Sequence, residues 1–269
     1  MASIANDKAM IHELTYGDKD LHTLTAKLVF PNIPKDASAK EVKKNFHKER
    51  SLAKGYEFAF NYAGNADTIK RNFGLSDEEA NRIYNSYMSG FSGLKNYQEF
   101  RKKDWWDKGY ILLSPLTGHK AYIYDYEELK RLKAKFSEPG FWDYYREMKA
   151  QYPSCDTVTE VRTYFKRRST SDRQSVNYPI QAAGSLCLRY SMISFFEYLR
   201  YNNLLGKVKI CVTPYDEINC EAPEEVANEV ANTLYNCMVN AGKVFCTKCK
   251  LDADISLLDD GSLPNYWIH

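Results

Sequence analysis

Two cations and then two aromatic residues follow one another at intervals of four positions: Arg50, Lys54, Phe58 and Tyr62. We call this set the stripe. Because four residues turn an α-helix by about 400°, this spacing predicts one slowly drifting face of a helix. Arg and Lys are rarely buried unpaired, so the face is poorly suited to a core. Cations followed by rings suit a nucleoside triphosphate, with charge at the phosphates and rings near the base and sugar. The alternative is an amphipathic helix with both rings in the core and solvated cations.

Two neighbouring carboxylates, Asp216 and Glu217, follow Tyr215 at a predicted turn. The flanking residues 207–213 and 218–222 are typical of paired strands, so the carboxylates are expected at the tip of a β-hairpin. Mg²⁺ prefers oxygen ligands and usually takes one or two carboxylates together with substrate phosphates. Because an Asp-Glu turn occurs in many kinds of protein, an ordinary solvent-exposed turn is the alternative.

A third element places Arg173, Asn177 and Gln181 four residues apart, ahead of the small residues 182–185. Asn and Gln side chains donate and accept hydrogen bonds in one plane, which suits contacts to base edges. Small residues allow another backbone or a nucleic acid to approach closely. Pro179 is expected to break the regular helix, so the three polar residues need not share one face. Alone, this element indicates little.

The remaining pattern is mostly helical and ends in an antiparallel hairpin. Helices are predicted over residues 2–16, 21–30, 38–62, 76–87, 93–107, 180–201 and 223–242, hairpins over 109–124 and 207–222, irregular structure over 125–172, and a strand in the tail at 250–269. The helix at 76–87 begins with a capping box, Ser76 to Glu79. Long helices followed by a hairpin with a covering helix indicate an α+β fold, in which a helical lobe joins a small-sheet lobe.

Composition narrows the class of protein only modestly. The chain has 269 residues, a net charge of +2 and 21 tyrosines, which suit either a core or surfaces that stack on bases. Basic clusters at 40–54 and 166–168 fit a phosphate-rich partner, although such runs are also common on solvated helix faces. The seven cysteines form no framework, and Cys246 and Cys249 form the only C-x-x-C pair. We expect reduced cysteines, no membrane partner and a cytoplasmic location, in the host if the chain is viral.

Taken together and in this order, the three elements resemble the family A (polymerase I-like) DNA polymerases. Residues 50–64 resemble the family's motif B, R-x3-K-x3-F-x3-Y-G, and residues 215–217 resemble motif C, usually His-Asp-Glu. Residues 173–181 resemble the R-x3-N-x-P-x-Q element, and residues 20–26 resemble D-I-H-T-x-T-A. The resemblance runs from residue 2 to about 254. It implies an α+β fold with palm helices at 1–30, a helical fingers subdomain at 31–183, and palm with the motif C hairpin at 184–269.

The resemblance also implies a role for each matching residue. Arg50 and Lys54 would hold the phosphates of the incoming nucleotide, assisted by His22, and Lys54 would serve catalysis. Phe58 would pack beside the sugar, where Phe is linked in the family to rejecting dideoxynucleotides, and Tyr62 would stack at the template position. Asp216 and Glu217 would bind catalytic Mg²⁺. The residues implied in contacts to primer-template DNA are Arg173, Asn177, Gln181, Tyr215 and Lys120.

Several departures from the family pattern qualify these expectations. Ala63 separates Tyr62 from Gly64, Ala59 replaces a usual Gly, Tyr215 replaces His, and residues 125–165 are longer and more aromatic than the usual connection. Motif A, D-x-S-x-x-E, is absent and would end just before Met1. We therefore expect one of two Mg²⁺ ions to need an aspartate outside this chain, and the chain alone to be inactive or nearly so.

Three functions follow as hypotheses. The chain could complete a phage-like split DNA polymerase with an N-terminal polypeptide that supplies motif A and the thumb, acting on primer-template DNA and dNTPs. It could instead be an inactive remnant that binds DNA or nucleotide. A single-subunit RNA polymerase is the third hypothesis, against which the Phe58 spacing and the D-x-H-T element argue.

Overall fold

Helices alternate with two short hairpins in the computed structural model, which describes residues 1–264. The helices are α1 (Ala2–Ala5), α2 (Lys8–Tyr16), α3 (Leu21–Val29), α4 (Ala39–Asn45), α5 (His47–Asn61), α6 (Ala66–Phe73), α7 (Asp77–Gly90), α8 (Ser92–Lys108), α9 (Tyr126–Phe136), α10 (Phe141–Gln151), α11 (Asp156–Tyr201) and α12 (Glu224–Phe245). The strands are β1 (Tyr110–Leu112), β2 (Lys120–Tyr122), β3 (Lys209–Val212) and β4 (Asn219–Glu221). This mostly helical chain with two small antiparallel sheets confirms the α+β prediction.

Local signals account for many helix ends, with one correction. Ser38 and Glu41 form a capping box before α4, and the Ser76 side chain accepts a hydrogen bond from the Glu79 amide at the start of α7. The single helix predicted over 38–62 is wrong, because Phe46 leaves helical geometry with φ −127° and ψ 39° and separates α4 from α5. Phe46 packs against the core at this break, which lets each of the two helices bury its own apolar face.

Residues 125–172, predicted to be irregular, form α9, α10 and the first part of α11. The helix predicted over 180–201 is the second half of α11, which has 46 residues and continues through Pro179. Proline lacks an N–H and normally leaves the carbonyl four residues earlier without a partner. Here the Ser175 carbonyl accepts a hydrogen bond of 3.1 Å from Arg101 Nε, and the Val176 carbonyl accepts one of 3.0 Å from Tyr97 Oη. The Arg101 contact satisfies the carbonyl that the proline leaves without a partner, and Tyr97 adds a second contact from α8 beside it.

Three hydrophobic cores follow one another along the chain. The first contains buried side chains from α1 to α8, the largest being Tyr56, Phe60, Tyr87 and Phe91. The second lies around Trp105 and includes Ile111, Leu129 and Phe136. The third packs Phe195 and Leu199 against Val208, Val230 and Leu234. Since α11 contributes to both the second and third cores, this helix connects the helical part to the part that carries the second hairpin.

The C-terminal part contains the predicted hairpin, but the helix and the tail that follow it end differently from the prediction. Strands β3 and β4 pair antiparallel, with Ile210 opposite Cys220 and an irregularity before Val212. Helix α12 continues past Gly242, which does not end the helix as predicted. A Cβ at this glycine would lie 2.7 Å from the Leu251 Cβ, so the glycine is required for close packing. Residues 250–264 contain no strand, and the rest of that predicted tail lies outside the described residues.

Candidate functional site

Helix α5 presents the cation-and-ring stripe on its exposed side. Phe58 and Tyr62 are 50% and 51% exposed, whereas Ala53, Tyr56 and Phe60 on the opposite side are buried in the first core. The alternative in which both rings belong to the core is therefore wrong. The Lys54 ammonium lies 5.9 Å from the centre of the Phe58 ring, so a cation and a ring face solvent together. Tyr62 caps the C-terminus of the helix.

Arg50 is held at the first turn of α3 by a carboxylate that the sequence did not single out as part of the site. Its Nη2 donates to Asp20 Oδ1 at 3.0 Å and Oδ2 at 3.1 Å, and its Nε donates to Thr23 Oγ1 at 3.2 Å. Asp20 also accepts from the Thr23 amide as the N-cap of α3, and Lys43 lies 3.2 Å away. The one sequence signal for this contact was the position of Asp20 before the first turn of α3, where an Asp is a favoured N-cap residue.

The electrostatics of Asp20 favour a permanent negative charge. Burial alone raises the pKa of this carboxyl, but hydrogen bonds from Arg50, Thr23 and Lys43 outweigh burial and hold the pKa well below its usual range. The ionised carboxylate therefore gives Arg50 a defined orientation at the pocket and partly neutralises it. An incoming anion at this site meets a guanidinium that is already positioned.

His22 on α3 is held by a second carboxylate, Glu57 on α5, which the sequence pattern did not predict. His22 Nδ1 lies 2.8 Å from Glu57 Oε2, and Thr25 Oγ1 donates to the same oxygen at 3.2 Å. The His22 ring centre lies 6.2 Å from that of Phe58. The only signal for Glu57 was its position between two aromatic residues on a face that otherwise becomes core.

These side chains surround an open pocket of about 400 Å³. The pocket is lined by Leu14, Asp18, Lys19, Asp20, Leu21, His22, Lys43, Arg50 and Glu57. Lys19 and Lys43 add positive charge that the stripe did not predict. Three carboxylates, Asp18, Asp20 and Glu57, share the lining with these cations. Side-chain donors that neighbouring carboxylates hold in place suit a ligand that carries phosphate groups.

The third polar element lies on α11 and joins the end of the stripe. The expectation that Pro179 separates its members is wrong, because α11 is continuous and places Arg173, Asn177 and Gln181 at four-residue steps. Asn177 Nδ2 donates to the Tyr62 carbonyl at 3.5 Å, while the buried Asn177 Oδ1 accepts no hydrogen bond within the described chain. A Cβ added at Gly184 would meet no atom within 4 Å, so the surface beside Gln181 is open.

The predicted hairpin tips are exposed. Tyr215 is 96% exposed and adopts a left-handed conformation with φ 51°, and Asp216 next to it is also exposed. The Glu217 amide donates to the Pro214 carbonyl at 2.9 Å and closes the turn. Lys120 lies on β2, where its ammonium is 4.4 Å from the centre of the Tyr110 ring. The structure thus groups His22, Arg50, Lys54 and Phe58, while Lys120 and the acidic pair belong to separate hairpins.

The donor set at Asp216 and Glu217 fits Mg²⁺, which takes one or two carboxylates with further oxygens from substrate and water. Across residues 1–264, no group of three or more His, Cys, Asp or Glu side chains is placed to hold a metal ion. Cys246 and Cys249, the C-x-x-C pair, are free thiols. No helix in that part is long and apolar enough to cross a membrane.

Comparisons with known proteins show what the chain as a whole is similar to. Residues 1–259 match the family model described as DNA polymerase family A. The chain is 25% identical over 225 residues to DNA polymerase I of Bacillus subtilis. The matched region covers 84% of this chain and 20% of that protein. It is 25% identical to DNA polymerase I of Aquifex aeolicus, covering 94% of this chain and 35% of the relative.

A shorter match and a solved structure complete the comparisons. A DNA polymerase of Bacillus phage SP01 is 32% identical over 34% of this chain and 9% of that protein. The POL domain of Pol1 from M. smegmatis, in complex with DNA primer-template and dNTP, superposes with a TM-score of 0.63 at 19% identity, covering 89% of this chain and 34% of that one. At that identity the likeness shows the fold alone. The chain spans about a fifth to a third of the length of these full polymerases.

Proposed function

The chain belongs to DNA polymerase family A, and from this premise we propose that it forms the nucleotide-binding fingers and part of the palm of a template-directed DNA polymerase. The polymerase would add deoxynucleotides to the 3′ end of a primer. Its partners would be primer-template DNA and dNTPs in the cytoplasm. The division into palm at 1–30, fingers at 31–183 and palm at 184–269 is part of the proposal.

The observation that carries the proposal is the stripe on α5 beside the pocket that Arg50, Lys43, Lys19 and His22 line. Arg50 and His22 are each held by a carboxylate, and Lys54 lies beside the Phe58 ring. Arg50, Lys54 and His22 would bind the triphosphate, and Phe58 would pack against the sugar. Pre-positioned cations lose little side-chain entropy on binding, which favours affinity for a charged ligand.

Chemistry would take place at the exposed hairpin tip. Asp216, supported by Glu217, would hold Mg²⁺, which when bound stabilises the attacking and leaving oxygens of the displacement. The primer 3′-hydroxyl would attack the α-phosphate in line, and pyrophosphate would leave. Lys54 would balance developing charge on the phosphates. Arg173, Asn177, Gln181, Tyr215 and Lys120 would orient the duplex.

Activity would require a further polypeptide portion. A site for two Mg²⁺ ions needs a second aspartate. Asp18 and Asp20 are poor substitutes, because Asp20 is paired with Arg50 and Asp18 lies at the junction before α3 and accepts from the Ala39 amide. Large apolar side chains are exposed in the C-terminal half, including Ile193 at 63% and Phe196 at 48%. Exposed apolar surface of this kind fits contact with another polypeptide portion that carries motif A and the thumb.

A primer-extension assay tests the proposal. The purified chain is assayed with Mg²⁺ and dNTPs, alone and with an N-terminal polymerase polypeptide that contains D-x-S-x-x-E. We expect extension only in the combined reaction, and its loss in Asp216→Ala. Inactivity with every such polypeptide, combined with DNA affinity that Asp216→Ala does not change, would instead support the inactive binding remnant. Preference for ribonucleotides in the active complex would support the RNA polymerase alternative.

A further inference from the structure

Glu57 is a buried carboxylate inside the helix that carries the exposed stripe. It lies on α5 between Lys54 and Phe58, and its side chain is 7% exposed. Its neighbours on the buried face, Ala53 and Phe60, are apolar and belong to the first core. Burying an ionised carboxylate costs on the order of several kcal/mol unless charged or hydrogen-bonding groups compensate for the lost water.

Both compensating groups come from α3. His22 Nδ1 lies 2.8 Å from Glu57 Oε2, and Thr25 Oγ1 donates to the same oxygen at 3.2 Å. An apolar side chain at this position would hold α3 against α5 without a desolvation cost. The carboxylate is therefore poorly explained as simple packing, and its distinguishing contact is the one to the imidazole.

The contact determines which ring nitrogen of His22 is available to a ligand. With Nδ1 bound to Glu57, only Nε2 remains for the pocket that His22 lines. The two nitrogens of a histidine are distinct, and the partner of one decides the proton and orientation of the other. A neutral ring with its proton on Nδ1 has a bare Nε2, so binding a phosphate oxygen also takes up one proton from solvent. The resulting imidazolium donates one hydrogen bond to the Glu57 carboxylate and one to the phosphate.

We propose that Glu57 is a positioning residue that fixes the His22 ring so that Nε2 binds a phosphate of the incoming nucleotide. The inference rests on the proposed function and deepens it. Glu57 lines the pocket only at its edge, with a side chain that is 7% exposed and Oε2 engaged by His22 and Thr25, so it acts through His22. Without the carboxylate, His22 rotates about its side-chain torsions and presents either nitrogen. Nucleotide affinity then falls, while the fold of α5 is retained.

The first measurement needs no nucleotide. Nitrogen-15 NMR of the purified full chain identifies the His22 imidazole by the signal that disappears in His22→Ala. In the wild-type chain, Nδ1 is expected to carry a proton, and Glu57→Ala should shift the neutral ring toward the Nε2–H form that unconstrained histidines favour. An unchanged ring signal in Glu57→Ala would overturn the inference, because the carboxylate would then not control the imidazole.

The second measurement is a double-mutant cycle on equilibrium binding of dATP with Mg²⁺. His22→Ala and Glu57→Gln should each weaken binding roughly 10-fold, the loss expected for one charge-assisted hydrogen bond. Glu57→Gln should cause no further loss in the His22→Ala background, because both residues act through one contact. Thr25→Val is the matched control: it removes the other hydrogen bond to Glu57 and should leave dATP affinity within about twofold while lowering Tm.

The outcomes separate the inference from the proposed function. Wild-type affinity in Glu57→Gln, or losses that add in full in the double variant, would overturn the positioning role while nucleotide binding by the wild-type chain stands. A loss of dATP affinity in Thr25→Val equal to that in Glu57→Gln would show that general loosening of the α3–α5 contact is responsible, and would also overturn it. A wild-type chain that binds no dATP would overturn the proposed function, and the nucleotide role of Glu57 with it, whatever the NMR result.

Discussion

The guanidinium of Arg50 and the carboxylate of Asp20 form a two-pronged contact, with Nη2 lying 3.0 Å and 3.1 Å from the two carboxylate oxygens. The same carboxylate caps α3, the helix that carries His22. One residue therefore couples the orientation of a cation on α5 to the start of α3. A phosphate that approaches Arg50 therefore meets a side chain whose rotamers are already restricted. The guanidinium would then donate hydrogen bonds to both the phosphate and Asp20.

Asp20→Asn should destabilise the chain at neutral pH by about 2 kcal/mol, because it removes the charge that pairs with Arg50 and Lys43. The folded-state pKa of Asp20 is lowered, so its contribution is fully present above the unfolded-state pKa of about 4 and is lost as pH falls toward the folded-state value. The stability difference between wild type and variant should therefore be constant from about pH 7 to 5 and shrink below about pH 4. Urea denaturation followed by circular dichroism across this range measures it.

Asp36→Asn provides the control for that experiment, since Asp36 is an exposed loop residue. Its free energy of unfolding should match wild type at every pH. A difference for Asp20→Asn that stays constant down to about pH 3 would show that the ionised carboxylate is not the source of the stability.

Arg101→Met should cost about 3 kcal/mol, because it leaves the Ser175 and Leu112 carbonyls without their Arg101 donor and leaves Asp104 paired with Lys108 alone. The cost should fall by about 1 kcal/mol when Pro179 is first replaced by Ala, since the restored N–H can then pair with the Ser175 carbonyl. Chemical denaturation of the two single variants and the double variant gives this coupling. Lys103→Met, on the exposed side of α8, should be near neutral. Strict additivity would mean that Arg101 does not compensate for the proline.

Lys54→Ala should raise the KM for dNTPs and lower kcat in the reconstituted polymerase, with a loss in kcat/KM of roughly 100-fold, because a phosphate contact that strengthens in the transition state is removed. Lys48→Ala on the same helix, at an exposed position away from the stripe, should leave both constants within about twofold of wild type. Unchanged steady-state kinetics in Lys54→Ala would remove this lysine from the site.

Phe58→Tyr should increase acceptance of dideoxynucleotides relative to deoxynucleotides by roughly 10-fold, the effect of one added hydrogen bond near the sugar. Phe58 is half exposed, so the added hydroxyl has room and Tm should hardly change. Competitive primer extension with mixed dNTP and dideoxynucleotide pools measures the ratio. Phe58→Leu is the control: it changes the same side chain without adding a hydroxyl, and should not raise the acceptance of dideoxynucleotides relative to deoxynucleotides.

The α5 stripe and the acidic hairpin could be predicted from sequence because their signals are local. A four-residue repeat defines one face of a helix whatever surrounds it, and the exposed Phe58 and Tyr62 lie where that repeat predicts. The hairpin around Asp216 follows from two strand-like runs joined by a turn, and the structure pairs them as β3 and β4. The roles of these residues stay predictions until the assays are done.

Tertiary structure alone decided how α11 runs and which side chains hold the site. Pro179 suggests a helix end, but the Ser175 carbonyl that lacks the proline N–H accepts instead from Arg101 on α8, 74 residues before Ser175 in the sequence. Asp20 and Glu57 find Arg50 and His22 across separations of 30 and 35 residues. Sequence periodicity reports which face a residue occupies, because that depends on helix geometry. It does not report the partner of a buried charge, because that partner is brought close only when the helices pack.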